Sequence, residues 1–236
     1  MRKKHIQWLS FLAIAAAACS SVAAEASSAL ESALSSTYRK SNVRDEGDGV
    51  TSYVACFDTE VVEAKGCDHV AFVYYDAPRN ARFFTPPKTR LSRYRPEPYL
   101  GSAVFLLDCK KPFYLLQPYY FSKHNGLSMN QATVMFDGKV VYKKIFKTKN
   151  VESTRESYGV DELTDLIVDE QALAVLRKVA KGGKTKIRLD GEQGHAYVPQ
   201  KEADKFGQDV TDALAIYDAL SAAITPEVQK ACMAGK

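Results

Sequence analysis

One tryptophan, four histidines, five cysteines and four methionines are all that this 236-residue chain holds of those residue types. Each scarcity narrows the chemistry. The histidines, at positions 5, 69, 124 and 195, share no local motif, and there is no H-E-x-x-H pair to seat zinc beside a general base. No G-x-S-x-G elbow offers a serine nucleophile. Neither G-x-x-x-x-G-K-[ST] nor G-x-G-x-x-G is present to cradle a phosphate. No apolar run reaches the roughly 20 residues that a membrane-spanning helix needs. The sequence therefore signals no catalytic residue, no metal ligand set and no cofactor.

The longest apolar run, residues 8–18, is interrupted only by Ser10 and follows Arg2, Lys3 and Lys4. A positive start, an apolar stretch of about 7–15 residues and small residues beyond it make a secretory signal. Val22-Ala23-Ala24 places small residues where cleavage before Glu25 expects them. A second outcome competes with it. Ala16-Ala17-Ala18-Cys19 resembles the lipobox of bacterial lipoproteins, with Ala16 where that family usually carries Leu. The resemblance implies a diacylated Cys19 as the first mature residue and attachment to the outer membrane. Release into the periplasm or the medium is the favoured reading, so the membrane enters only if Cys19 is lipidated.

Removing residues 1–24 takes three of the 32 basic residues and none of the 28 acidic ones, so the net charge of +4 drops to about +1. A nearly neutral exported chain gives no ground for nucleic-acid binding, and any electrostatic partner has to be read from local patches. Four cysteines remain: Cys56, Cys67, Cys109 and Cys232. An even number in an oxidising compartment reads as two disulfides. Cys56 and Cys67 bracket a short segment between strand-like runs, which favours a local bridge and leaves Cys109 for Cys232. The alternative of zinc on Cys56, Cys67 and His69 lacks a C-x₂-C pair.

Thirteen tyrosines and eleven phenylalanines point to a sheet-rich fold. Residues 25–49 read as an Ala/Ser-rich tether, or a marginal short helix, ended by the charged turn "RDEGDG". Strand-like runs follow at 50–62, 69–76, 102–109 and 113–122. Residues 132–136 and 139–147 flank Asp137-Gly138, the strongest short hairpin signal in the chain. A helix is expected from about residue 170 to 181, capped by Asp169 and stopped by Gly182-Gly183. A second hairpin is expected around Asp190-Gly191. The clearest helix is 201–223, where Phe206, Val210, Leu214, Tyr217 and Leu220 share a face, and a short C-terminal helix starts at Pro226. Strands followed by segregated helices argue α+β: an antiparallel sheet of about six to eight strands, two packed helices and a short C-terminal helix. The expectation is one domain over 50–236, with any subdomain break near 150–160.

One stretch stands above background. Residues 78–99 hold five of the nine prolines, with Arg79, Arg82, Arg90, Arg93 and Arg95 and interleaved Phe and Tyr residues, Tyr94 among them. Arginine binds carboxylate and phosphate bidentately and stacks on rings. Arg79, Arg82, Arg90, Arg93, Tyr94 and Arg95 are therefore the candidate contacts to an anionic envelope component or an acidic protein. The competing reading pairs these arginines with the acidic stretch 152–170. A second basic set, Lys139, Lys143, Lys144, Lys147 and Lys149, reads as an edge strand guarded by charge. The functional expectation is an exported, non-enzymatic binding protein. Its rival is a secreted hydrolase working through carboxylates or His69.

Overall fold

The computed structural model describes residues 23–57, 67, 69–87 and 97–234, with side chains from Ala29 onward. The expected signal segment and Cys19 lie outside the described residues. The fold is mixed α+β: a nine-stranded and a four-stranded antiparallel sheet, with helices packed on them.

The large sheet begins as a meander. Strands β1 (Arg39–Gly47), β2 (Val50–Phe57), β3 (His69–Asp76), β4 (Ala81–Thr85), β5 (Tyr99–Leu107) and β6 (Phe113–Ser122) pair in chain order. The chain then leaves to build the small sheet from β7 (Met129–Phe136) and β8 (Lys139–Ile145), and returns with β9 (Glu152–Glu156), β10 (Gly159–Leu163) and β11 (Leu166–Ile167). Both β10 and β11 pair with β6, and β9 closes that edge. Helix α2 (Glu170–Val179) precedes β12 (Thr185–Gly191) and β13 (Gly194–Tyr197), which complete the small sheet in the order β13-β12-β7-β8. The remaining helices are α1 (Ala23–Ser35), α3 (Gln200–Ala223) and α4 (Pro226–Ala234).

Among the described residues, thirteen strands in two sheets exceed the six to eight expected in one, and part of the surplus is polar. In β1 every residue is exposed and Val43 is its one aliphatic side chain, so no apolar alternation announces it. What read as a six-residue charged turn is mostly strand. Only Asp48-Gly49 turns, both at positive φ, and a Cβ on Gly49 would lie 2.8 Å from Pro78 Cδ. Asp137-Gly138 makes the second turn of this kind, as expected, with φ of 48° and 79°. The hairpin expected at Asp190-Gly191 turns two residues later, at Glu192-Gln193. Gly191 is needed inside the strand, because a Cβ there would lie 2.2 Å from Leu127 O.

Residues 25–49 are not a tether. Leu30 and Leu34, one turn apart on α1, are fully buried among Tyr38, Tyr53, Phe57 and Phe84. Asp169 caps α2 as the sequence predicts, accepting from the Ala172 amide at 2.8 Å. Helix α3 unites the molecule. Its first half (Ala203, Phe206, Val210, Ala213, Leu214) packs with α2 and the inner face of the small sheet. Its second half (Ile216, Leu220, with Ile224 beyond) packs with α1 and the large sheet. Tyr217 touches both cores.

Candidate functional site

The arginine-rich stretch divides. Arg79 sits in the β3–β4 turn, half exposed, and donates to Asp76 Oδ2 at 2.9 Å. Arg82, expected to meet a ligand, points the other way. It lies on the helix-covered face of β4, 1 % exposed. There it donates to the Glu31 carboxylate of α1 and to Asn80 Oδ1 at 3.1 Å, with Tyr75 beneath its guanidinium at 4.1 Å. Burial pulls its pKa down to about 10. The strand period decides this placement: with Phe84 inward, Arg82 must be inward too. Arg82 therefore docks α1 on the sheet and does not reach an external anion. Arg90, Arg93, Tyr94 and Arg95 lie outside the described residues. Arg79 and Arg82 use Asp76 and Glu31, not the stretch 152–170.

The members of that acidic stretch have other work. Glu162 is 3 % exposed. Its two oxygens accept from the backbone amides of Ser128 and Met129 at 2.8 and 2.9 Å. It thus clamps β10 of the large sheet to the start of β7 in the small one. Asp165 accepts from Gln117 Nε2 at 2.7 Å, and Asp169 is the α2 cap. Asp165 and Asp169 do not share a helical face, because β11 stands between them.

The cysteines pair as Cys56–Cys67 and Cys109–Cys232, with Cα separations of 5.6 and 5.7 Å. The zinc alternative at Cys56, Cys67 and His69 is thereby closed. Asp108, Cys109 and Cys232 place their donor atoms within 4.8 Å of one another, but both sulfurs are spent in the disulfide. His69 Nδ1 stands 3.4 Å from Asp212 Oδ1 on α3, and Gln208 donates to the same oxygen at 3.1 Å. His195 packs edge-on to Tyr197 with ring centroids 5.5 Å apart. The described histidines are thus dispersed over three regions of the fold.

Sequence reasoning missed a feature of the other face of the large sheet. Tyr74, Phe83, Phe105 and Phe113 stand directly opposite one another across β3, β4, β5 and β6. Adjacent rings in this row lie 6.3 Å (Phe83–Phe105) and 6.5 Å (Phe105–Phe113) apart. None of the four is buried, and Tyr74 is 38 % exposed. Elsewhere on the large sheet Tyr99 stacks on Tyr119 at 5.0 Å and Phe121 on Tyr158 at 6.2 Å. Residues 86–98, which carry the other arginines, join β4 to β5 between Thr85 and Tyr99. Among the described residues, α1 and α3 pack on the opposite face. A run of aromatic residues at strand spacing was visible in the sequence, but only the register sets them in one row.

Comparison of the chain with protein-family models, with curated proteins and with solved structures finds no match in any of the three.

Proposed function

We propose that the protein is an exported, non-enzymatic binding protein that engages an anionic component of the cell envelope, or an acidic protein there, through a partly exposed aromatic row on its large sheet. The observation that carries this reading is the row Tyr74–Phe83–Phe105–Phe113. Elsewhere on that face Ala103, Leu115 and Gln117 are buried, so the partly exposed rings are the patch it presents, and a contiguous apolar patch at the surface marks an interaction site. The connection 86–98 between two strands of that row brings Arg90, Arg93 and Arg95 into the same part of the chain. Arginine supplies anion recognition and the rings supply apolar area, a combination enriched at interfaces.

The test uses immobilised protein and envelope extract. Wild type is expected to retain a component that is lost both with Arg90, Arg93 and Arg95 replaced by Ala and with Phe83 and Phe105 replaced by Ser. The arginine variant is expected to keep the wild-type melting temperature. Retention that survives both sets of substitutions sinks the reading.

The rival reading, a secreted hydrolase, has the His69–Asp212 contact in its favour. Turnover of an ester, glycoside or peptide substrate that vanishes in His69→Ala would establish it.

A further inference from the structure

The small sheet has an open face of different character. Its inner face is apolar: Ala132, Val134, Ile187 and Leu189 are at most 1 % exposed beneath α2 and α3. The outer face follows from the register. Lys143, Thr133, Arg188 and Tyr197 form one row across all four strands. Ile145, Gln131, Asp190 and His195 form the next, and Val140, Met135 and Lys186 a third.

Three properties of this sheet combine. It is basic: Lys143, Lys186 and Arg188 stand on this face against Asp190 alone, and Asp190 is paired with Arg188 at 3.0 Å; Lys139 and Lys144 fall opposite Phe136 and Ala132, on the inner-face register of β8. Lys147 and Lys149 follow β8 in a 3-10 turn, with no acid between residues 138 and 151. It also exposes large apolar side chains at its margins: Val140 at 60 %, Ile145 at 70 % and Tyr197 at 53 %. These lie on the two edge strands, β8 and β13, with Lys143 beside them on β8 and Lys186 and Arg188 on β12 between. Finally, its centre is a flat hydrogen-bonded floor, in which Gln131 donates to Asp190 at 2.7 Å and to Thr133 at 3.3 Å.

We infer that this face docks the protein on an anionic lipid bilayer. Lysine, a flexible point charge, suits a diffuse layer of headgroup phosphates that asks for no fixed bidentate geometry. Exposed aliphatic and aromatic side chains around such a basic surface insert at the headgroup boundary, while the cations stay at the phosphates. Lysines alone would do no more than guard the β8 edge. An edge built only for protection has no use for Val140 and Ile145 outside, so the apolar corners decide between the two. The nearly neutral mature chain conceals this asymmetry, because the acids lie elsewhere. The contact is peripheral and independent of Cys19. It also uses none of the residues of the aromatic row, so it stands or falls separately from that surface.

Vesicle flotation tests it. The full-length chain is used throughout, so its basic, apolar N-terminus contributes equally to every variant and only differences between variants are read. Vesicles of phosphatidylcholine with about 30 % phosphatidylglycerol are compared with phosphatidylcholine alone. Near an anionic surface each lysine contributes about fivefold, so replacing Lys143 and Lys186 by Ala lowers partitioning to the anionic vesicles roughly 25-fold. Val140→Ser with Ile145→Ser lowers it as well, while leaving binding to soluble heparin unchanged. All four side chains are exposed, so melting temperatures stay at the wild-type value. Two results overturn the inference: equal flotation of wild type and the lysine variant, or indifference of the anionic vesicles to Val140→Ser/Ile145→Ser. The second, joined to heparin binding that needs the lysines, assigns the face to a soluble polyanion.

Discussion

The two disulfides differ in what they hold, and that difference gives a quantitative test. Helix α4 buries one side chain, Cys232. It leans on α1, whose Leu30 and Leu34 belong to the core. The bond to Cys109 closes a separation of 123 residues, whereas Cys56–Cys67 closes 11. If cross-links act by restricting the unfolded chain, these spans correspond to about 4.9 and about 2.8 kcal/mol. A domain of about 210 residues unfolds with roughly 440 cal/mol/K at its midpoint. Cys109→Ala/Cys232→Ala is then expected to lower Tm by about 11 °C and Cys56→Ala/Cys67→Ala by about 6 °C. Calorimetry of both pairs, oxidised and at neutral pH, reads the gap directly. A second readout is local. With no sulfur bridge and no other buried side chain, α4 should leave α1, and trypsin should cut after Lys230 before the rest of the chain is touched. Equal losses of Tm in the two variants, or a Cys109/Cys232 variant whose C-terminus stays protected, would refute the view that the long bridge is what fastens α4.

Two further outcomes follow from buried polar groups. Glu162→Gln keeps the shape of the clamp but turns an NH₂ toward one of the two amides, so a loss of about 2–4 kcal/mol is expected by urea unfolding, with the m-value unchanged. The tyrosines set an alkaline limit. Burial holds Tyr53 and Tyr142 up to about 12 and raises Tyr38 and Tyr114 as well. A phenol raised in the folded state favours folding fully below its ordinary value near 10 and loses that contribution as pH climbs toward the raised value. The folded state holds its proton longer, so the unfolded chain ionises first and stability falls between the two values. Absorbance at 295 nm at pH 11 should therefore remain below that of the urea-unfolded chain by roughly three phenolates, and stability should decline between about pH 10 and 12. Full ionisation at pH 11 without unfolding would contradict the burial of these rings.

Elements with an apolar period are legible in the sequence alone. The α2 cap and stripe, the long α3, the Asp137-Gly138 hairpin and both disulfide pairings follow from local chemistry: a side-chain acceptor before a helix, a 3.6-residue stripe, an αL-tolerant dipeptide, thiols in even number. The polar strands β1 and β9 are not legible, because their residues face water on one or both sides and the ladder is made by backbone that every sequence shares. Arg82 shows the same limit from the opposite side. Its charge argued for the surface, yet its position two before the inward Phe84 turns it to the core face, between Tyr75 and Leu106 of the neighbouring strands. There Glu31, more than fifty residues away, makes a buried guanidinium tolerable.

The sequence by itself determined the class of the fold and the expectation of export, with the even set of thiols and near-neutral charge that removal of residues 1–24 would leave, since composition and short-range periodicity carry these. Tertiary structure decided which charges are structural and which face outward. Arg82 and Glu162 went inside with their partners, while Tyr74, Phe83, Phe105 and Phe113 became a row and Val140, Ile145 and Tyr197 the corners of a basic face. The physical reason is strand register. A side chain's face is set by its own strand's pleat, but its neighbours on that face come from strands far off in sequence, and no local pattern records which of them will lie opposite.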